Sequence, residues 1–284
     1  MVRRFPWTEA QGMARLGVIA DPHGNLTAVR AVLAELERAG VDGVVCAGDL
    51  VGYNAEPDEV VACLTREAVC VAGNHDRIAL GWLDDRRAWR GARHALARTR
   101  DVLSRSTRDR LAELPIQRGL ADGIVLFHGS VDDVAHRTSR HADVLANQAA
   151  LATQGVMPSL AIFGHTHRPS LQRIVEGREG PRVVDLPAHG RVALPMQGSI
   201  YLNPGSVDGA RRGAGIASFA IVDTVARTVT FGSVAYDHEA SERRARRAGY
   251  RMPRLVRARS AFTDVARRAG RKMRTWVPAS SNGG

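Results

Sequence analysis

An α/β fold is predicted by three features of the sequence. Five short apolar runs are continuous, amphipathic helical stretches separate the first three, and polar residues gather at the C-terminal end of every run. Continuous apolar runs alternating with helices mark parallel strands buried on both faces. The first run, 15–20, ends at Asp21. Residues 25–39 then read as a helix, because Leu26, Val29, Leu33 and Leu36 recur at spacings of three and four. Asn25 supplies its N-cap and Gly40 its stop. The second run, 43–47, ends at Gly48-Asp49, and a second helix is expected over 57–67, with Pro57 in its first turn. The third run, 68–72, ends at Gly73-Asn74-His75-Asp76. Residues 83–113 read as helical and Arg-rich. Runs at 123–127 and 160–163 end at His128-Gly129 and Gly164-His165-Thr166-His167, with a helix expected over 141–153. After His167 the pattern changes to short pieces at 171–175, 182–186, 199–203, 216–222 and 228–236, punctuated by Gly, Pro and Asp, as in an antiparallel meander. The body therefore reads as one domain over 14–238 with two sheets, the first half mainly parallel and the second mainly antiparallel. Residues 1–13 form an N-terminal extension. Residues 239–284 form a basic tail, helical over 240–248 and 254–270.

Composition narrows the class. The chain has 284 residues, 44% hydrophobic and 24% charged, which excludes wholesale disorder and a disulfide-stapled miniprotein. No apolar run nears the roughly 20 residues that span a bilayer, and no apolar stretch follows Arg3 and Arg4 to make a signal peptide. Cys46, Cys63 and Cys70 lack metal or redox spacing; Cys46 and Cys70 sit in apolar runs as buried thiols, and a reducing, cytoplasmic setting is expected. The net charge of +11 is concentrated in 241–284, which holds thirteen basic and two acidic residues. Such a tail is either a solvated arm or a weak contact for nucleic acid or another polyanion. No helix-turn-helix, zinc finger or aromatic-basic platform accompanies it.

In open α/β sheets the carboxyl ends of parallel strands form the ligand crevice. Asp21, Asp49 and Asn74 follow one another at 28 and 25 residues, about one strand-helix-strand step each. The groups expected to converge are therefore Asp21, His23, Asp49, Asn74, His128, His165 and His167. Two carboxylates, four imidazoles and an amide oxygen suit Mn²⁺, Fe or Zn²⁺ better than Ca²⁺. Seven ligands are too many for one ion with an open position. Two ions sharing a carboxylate, roughly 3.5–4 Å apart, form a device for in-line displacement at phosphorus.

The sequence here resembles the calcineurin-like metallophosphoesterase superfamily, in its small prokaryotic branch. The resemblance lies in Asp21-Pro22-His23-Gly24-Asn25, Gly48-Asp49-Leu50-Val51-Gly52-Tyr53, Gly73-Asn74-His75-Asp76, His128-Gly129, Gly164-His165-Thr166-His167 and Asn203-Pro204-Gly205-Ser206. It implies a four-layer α-β-β-α sandwich with two central mixed sheets and the metals at one end. It implies that Asp21, His23 and His167 hold the first ion, that Asn74, His128 and His165 hold the second, and that Asp49 bridges both. The ions would be divalent, Mn²⁺ first, with Fe, Zn²⁺ or Ni²⁺ as alternatives. A hydroxide between them would be the nucleophile. His75 would stand beside the leaving oxygen as proton donor or charge stabiliser, Asp76 would orient His75, and Asn25, Asn74 and His75 would meet the substrate.

Departures from the family pattern bear on the substrate. Pro22 replaces a usually apolar residue and is expected to push Asp21 toward extended backbone. The eukaryotic-type Ser/Thr phosphatases carry an Arg shortly after the bridging Asp and a Glu after Asn-His; here Asn54 and Ala55 follow, and Asp76 stands in the second place. The expected activity is therefore hydrolysis of small, nucleotide-like phosphodiesters. Phosphomonoester or phosphoprotein hydrolysis on the same site, or a non-catalytic scaffold on this fold, are the alternatives. Arg86, Arg87, Arg90, Arg93, Arg98 and Arg100 form either a grip for a polyanionic substrate or a solvated helical face, and His136, Arg137, Arg140 and His141 form a second candidate rim.

Overall fold

Side chains alternate across each central strand, and that alternation sorts the chain into layers. The computed structural model describes residues 14–209 and 215–250. In β1 (Arg15–Ile19), Leu16 and Val18 enter one buried cluster and Ile19 another. In β2 (Gly43–Cys46), Val45 joins the first cluster, while Val44 and Cys46 join the second. The second cluster is the seam with α1 (Leu26–Arg38) and α2 (Pro57–Glu67), which contribute Val29, Val32, Leu33, Leu36, Val60, Val61 and Leu64. The first cluster lies between two sheets. It joins Leu16, Val18 and Val45 to Ile124 and Leu126 of β5 (Ile124–Phe127) and to Leu160 and Ile162 of β6 (Leu160–Ile162). Beyond the second sheet, Phe127, Ala161, Phe163 and Tyr201 pack with Val144 and Leu151 of α6 (His141–Thr153). The order helix, sheet, sheet, helix is the four-layer sandwich.

The remaining elements complete the sheets. They are β3 (Val69–Cys70), β4 (Gln117–Gly119), β7 (Ser170–Gly177), β8 (Gly180–Leu186), β9 (Gly190–Ala193), β10 (Ile200–Asn203), β11 (Ile216–Asp223) and β12 (Thr228–Ala235). Sheet one runs β3-β2-β1-β11-β12-β9 and sheet two β4-β5-β6-β10-β7-β8. In sheet one, β1, β2 and β3 pair in parallel, and β11, β12 and β9 are added antiparallel. In sheet two, β5, β6 and β10 pair in parallel, and β4, β7 and β8 are antiparallel neighbours.

Strands of the first half pair mainly in parallel and later strands mainly antiparallel, as expected, and both sheets are mixed because β11 pairs antiparallel with β1 and β7 antiparallel with β10. Asn74-His75-Asp76, at the end of the third run, forms the first turn of α3 (Asn74–Ala79). Two expectations need correction. Residues 83–113 break into two 3₁₀ turns, then α4 (Arg93–Val102) and α5 (Arg105–Ala112). Residues 239–250, expected to open an appended tail, pack on the body: α7 (His238–Arg247) buries Ser241 and Ala245, and Tyr250 is 2% exposed. The extension 1–13, the tail from 251 and its helix at 254–270 lie outside the described residues. Cys46 and Cys70 are buried free thiols. Among the described residues no helix is long and apolar enough to cross a membrane.

Candidate metal centre

The C-terminal ends of the parallel strands of both sheets meet at one edge. Sheet one delivers Asp21 and His23 after β1, Asp49 after β2 and Asn74 after β3; sheet two delivers His128 after β5 and His165 and His167 after β6. All seven residues come together there. Asp21, His23 and His167 form one group whose ligand atoms lie within 4.8 Å of one another, and Asp49, His128 and His165 form another. Asn74 Oδ1 lies 3.2 Å from His128 Nε2, within the second group. Asp49 stands between the two: its Oδ2 is 3.2 Å from His128 Nε2 and 3.8 Å from His23 Nε2.

What these atoms are decides what they can hold. His23 Nδ1 lies 3.2 Å from the Val51 carbonyl, and His128 Nδ1 lies 2.7 Å from the Ala47 carbonyl. A carbonyl only accepts, so each Nδ1 carries the proton and each Nε2 lone pair faces inward. There His23 Nε2 stands 3.1 Å from His167 Nε2, and His167 Nε2 stands 3.4 Å from Asp21 Oδ1. Lone pairs and carboxylate oxygens crowded together, in a site where Asp21, His23 and His128 are fully buried, fit divalent cations and fit little else. The carboxylates draw positive charge, a proton or a cation, to these nitrogens. Burial opposes charging the His128 ring, yet the Asp49 and Asp21 carboxylates carry it up to about 9. Burial also opposes charging Asp49, but His128, His75 and His23 hold its carboxyl well below the usual range. Burial and then the His128 charge push His165 down to about 3.

The backbone is strained at the same places. Asp21, His23, Asp49, His165 and His167 have φ between 48° and 65°, the left-handed region that non-glycine residues rarely adopt. Pro22 therefore does not push Asp21 into extended backbone. Its φ is 55°, a value that aspartate tolerates better than most residues. The turn is held by tertiary bonds that outweigh the local preference: Asp21 N donates to the Gly48 carbonyl, and the Asp21 carboxylate accepts from His165 N at 3.1 Å. Gly73 is required by close approach, since a Cβ there would stand 2.1 Å from Asp49 Oδ1.

Two expected roles change. Asn25 does not reach toward a substrate. It is fully buried; its Oδ1 caps α1 through Ala28 N and accepts from Ser241, and its Nδ2 donates to Asp208 and Tyr236. Asp76 does not orient the His75 ring. Its two oxygens accept from Val51 N at 3.0 Å and Gly73 N at 2.8 Å, which ties the second motif to the third. Burial and the Asp49 charge push the Asp76 carboxyl up to about 7. His75 itself lies at the cluster, with Nε2 4.0 Å from Asp49 Oδ2.

Four residues support the site without having been given a role from the sequence: Tyr53, Asn203, Ser206 and Asp208. The Tyr53 hydroxyl is 3.4 Å from His75 Nε2, and its ring stands edge-on to His23. Asn203 Nδ2 donates to the Gly164 carbonyl, and the Ser206 hydroxyl donates to the Asp21 carbonyl at 3.0 Å. Asp208 receives Asn25. The Asn203-Pro204-Gly205-Ser206 motif was the available signal for this brace; Asp208 had none.

The candidate rims resolve unevenly. Arg86 pairs with Asp84, Arg87 with Asp133 and Arg93 with Asp85, while Arg98 and Arg100 donate to the Ala248 and Ile78 carbonyls. These cations stabilise their own surroundings. On the second rim, His141 pairs with Asp185, and His136 and Arg140 pair with Asp143. Arg137 is exposed, none of the described residues offers it a hydrogen bond or ion pair, and its charge reaches His165.

Asp143 anchors that rim. Burial opposes its ionisation, but the Arg140 guanidinium, the Ser139 and Arg140 amides and His136 hold its carboxyl well below the usual range. A depressed folded pKa contributes stability above the unfolded value, and that stability is lost as pH falls through the folded one. Asp143→Asn is therefore expected to cost about 2 kcal/mol at pH 7, with the difference from wild type shrinking as pH drops below the ordinary carboxylate range. Urea unfolding at pH 7 and near pH 3 measures it; an equal loss at both would show that the charge is not what matters.

Comparison with known proteins agrees with this geometry. A structure described as a metallophosphoesterase from Sphaerobacter thermophilus is 29% identical, with a TM-score of 0.68, covering 88% of this chain and 99% of that one. A hypothetical protein from Pyrococcus horikoshii shares the fold at 19% identity and a TM-score of 0.61, covering 85% of this chain and 95% of that one. An uncharacterized protein of Methanocaldococcus jannaschii is 29% identical over 228 residues, 78% of this chain and 88% of its own. The family model for the calcineurin-like phosphoesterase superfamily domain matches residues 14–227, a span that contains every residue of the cluster, and the chain belongs to that superfamily.

Proposed function

We propose that the protein is a two-metal phosphodiesterase acting on small, nucleotide-like diesters. One observation carries the reading: Asp49 stands between two groups of inward-facing donors, so that one carboxylate can serve both ions. Asp21, His23 and His167 hold the first ion; Asn74, His128 and His165 hold the second. Mn²⁺ suits this imidazole, carboxylate and amide set, as do Fe, Zn²⁺ and Ni²⁺. The ions, when bound, supply Lewis-acid activation of water and neutralise phosphate charge. The chain's own residues do the rest. The Val51 and Ala47 carbonyls fix the His23 and His128 tautomers. His75, 4% exposed and turned to the cluster, holds a proton at Nε2 for the leaving oxygen.

The diester preference rests on residues 54 and 55. Asn54 is buried and donates to the His23 carbonyl, and neither Asn54 nor Ala55 carries a guanidinium to grip a terminal phosphate. Arg137 favours the second reading, a monoesterase, because its exposed cation, unpaired among the described residues, acts electrostatically on His165. A Mn²⁺-supplemented screen of aryl diesters, aryl monoesters, cyclic nucleotides and dinucleotides separates the two. Diesters are expected to turn over fastest, and a monoester preference overturns the assignment. Arg137→Ala is expected to raise KM about tenfold with metal content unchanged; an unaltered KM removes Arg137 from substrate binding.

A further inference from the structure

The segment that follows the family-matched residues reaches back to the reaction centre. Gly52 has φ 149°, and a Cβ there would stand 2.5 Å from His75 Nδ1 and 2.9 Å from His23 Nδ1. Its peptide therefore lies flush against both rings, and any shift of that peptide is felt by both. The next residue, Tyr53, places its ring centroid 4.5 Å from that of His23 and 4.8 Å from that of His75. Gly52 and Tyr53 together form the wall on which the two imidazoles rest.

That wall is held from behind. Thr99, fully buried on α4, donates its hydroxyl to the Gly52 carbonyl at 2.9 Å. A threonine has one hydroxyl proton, and Gly52 receives it. The Tyr250 hydroxyl, 3.2 Å from Thr99 Oγ1, must then be the donor to Thr99. Burial pushes the Tyr250 phenol up, so it remains a donor at any working pH. Tyr250 packs in one cluster with Tyr53, Ile78, Ala92, Leu96 and Ala245. Its approach is fixed by Arg98, which donates to the Ala248 carbonyl at 2.8 Å, and by Ser241, which donates to Asn25.

We infer that Tyr250, acting through Thr99, is a positioning residue: a two-bond chain running from Tyr250 through Thr99 to the Gly52 carbonyl sets the wall against which His75 and His23 are aligned. The inference rests on the proposed phosphoesterase reading for its kinetic consequence, and on the geometry alone for its structural one. A chain of bonds polarised in one direction loses its effect when either link is cut. Misplacement of a reacting group lowers turnover more than substrate affinity.

The test uses Tyr250→Phe, which keeps the ring and its packing, with Thr99→Val and Thr99→Ser in the full-length, metal-loaded protein. Tyr250→Phe and Thr99→Val are each expected to lower kcat on an unactivated diester three- to tenfold, with KM and bound metal within twofold of wild type. Thr99→Ser, which keeps the hydroxyl, is expected to restore kcat, and the Tyr250→Phe/Thr99→Val double variant is expected to be no slower than the worse single. Amide hydrogen exchange at Val51 and Asn54, read without substrate, is expected to quicken in both disabling variants. Wild-type kcat in both, or activity that tracks only the folded fraction, overturns the inference. If the wild type itself hydrolyses no phosphoester, the proposed function fails instead, and unchanged exchange at Val51 and Asn54 then overturns the positioning chain on its own.

Discussion

Asp49→Asn is expected to abolish binding of the proposed metal pair and with it nearly all hydrolysis. The substitution is almost isosteric. Asparagine keeps an Oδ1 to accept the His75 amide, a bond of 2.8 Å that fixes the first turn of α3. What it removes is one negative charge, set 3.2 Å from His128 Nε2, 3.8 Å from His23 Nε2 and 4.0 Å from His75 Nε2. Loss of a partner one layer outside a metal's ligands typically costs about 10–100-fold in affinity. A carboxylate shared by two ions should cost more than that, and both sites should weaken together. Elemental analysis after dialysis, with assay of the same samples, measures it. Two ions per chain and full turnover would show that Asp49 bridges nothing.

His75→Ala is expected to leave both ions bound and slow turnover by about 10²–10⁴, the range for a lost general acid. The His75 amide bond to Asp49 survives in alanine, so the bridging carboxylate stays oriented. The ring leaves a void beside Gly52 and Tyr53, and His75→Gln keeps much of the volume to control for it. The loss should shrink for a substrate whose leaving group needs no proton, such as a nitrophenolate. Equal losses for poor and good leaving groups would make His75 a charge stabiliser or a wall, not a donor.

The cluster was legible before the fold because its parts recur at the ends of apolar runs. Five runs, each ending in Asp, Asn or His, are enough to locate Asp21, Asp49, Asn74, His128 and His165, since parallel strands end at the same edge. Strand neighbours were not legible in the same way. That β11 lies beside β1 and β10 beside β6 depends on which apolar faces meet across the core, and those faces look alike in sequence. The strand β9 has four residues and no alternation to mark it. The helix α3 spans six residues, fewer than two turns, too short for a period to show. Asn25 and Asp76 were misjudged for one reason: a polar residue inside a ligand motif can serve the backbone of that motif, and the letter does not say which. Pro22 is the opposite case, a sound local preference overruled by bonds from Gly48 and His165.

Sheet one supplies Asp21, His23, Asp49 and Asn74, and sheet two supplies His128, His165 and His167. Elsewhere the sheets adhere through aliphatic side chains; along this edge the proposed ions would rivet them. An ion that binds only the assembled edge adds RT ln(1 + [ion]/Kd) to the work of prying the sheets apart. On the proposed reading the molecule's cohesion would be set partly by the metal content of its surroundings, and scarcity of that metal would silence hydrolysis and loosen the frame through the same event.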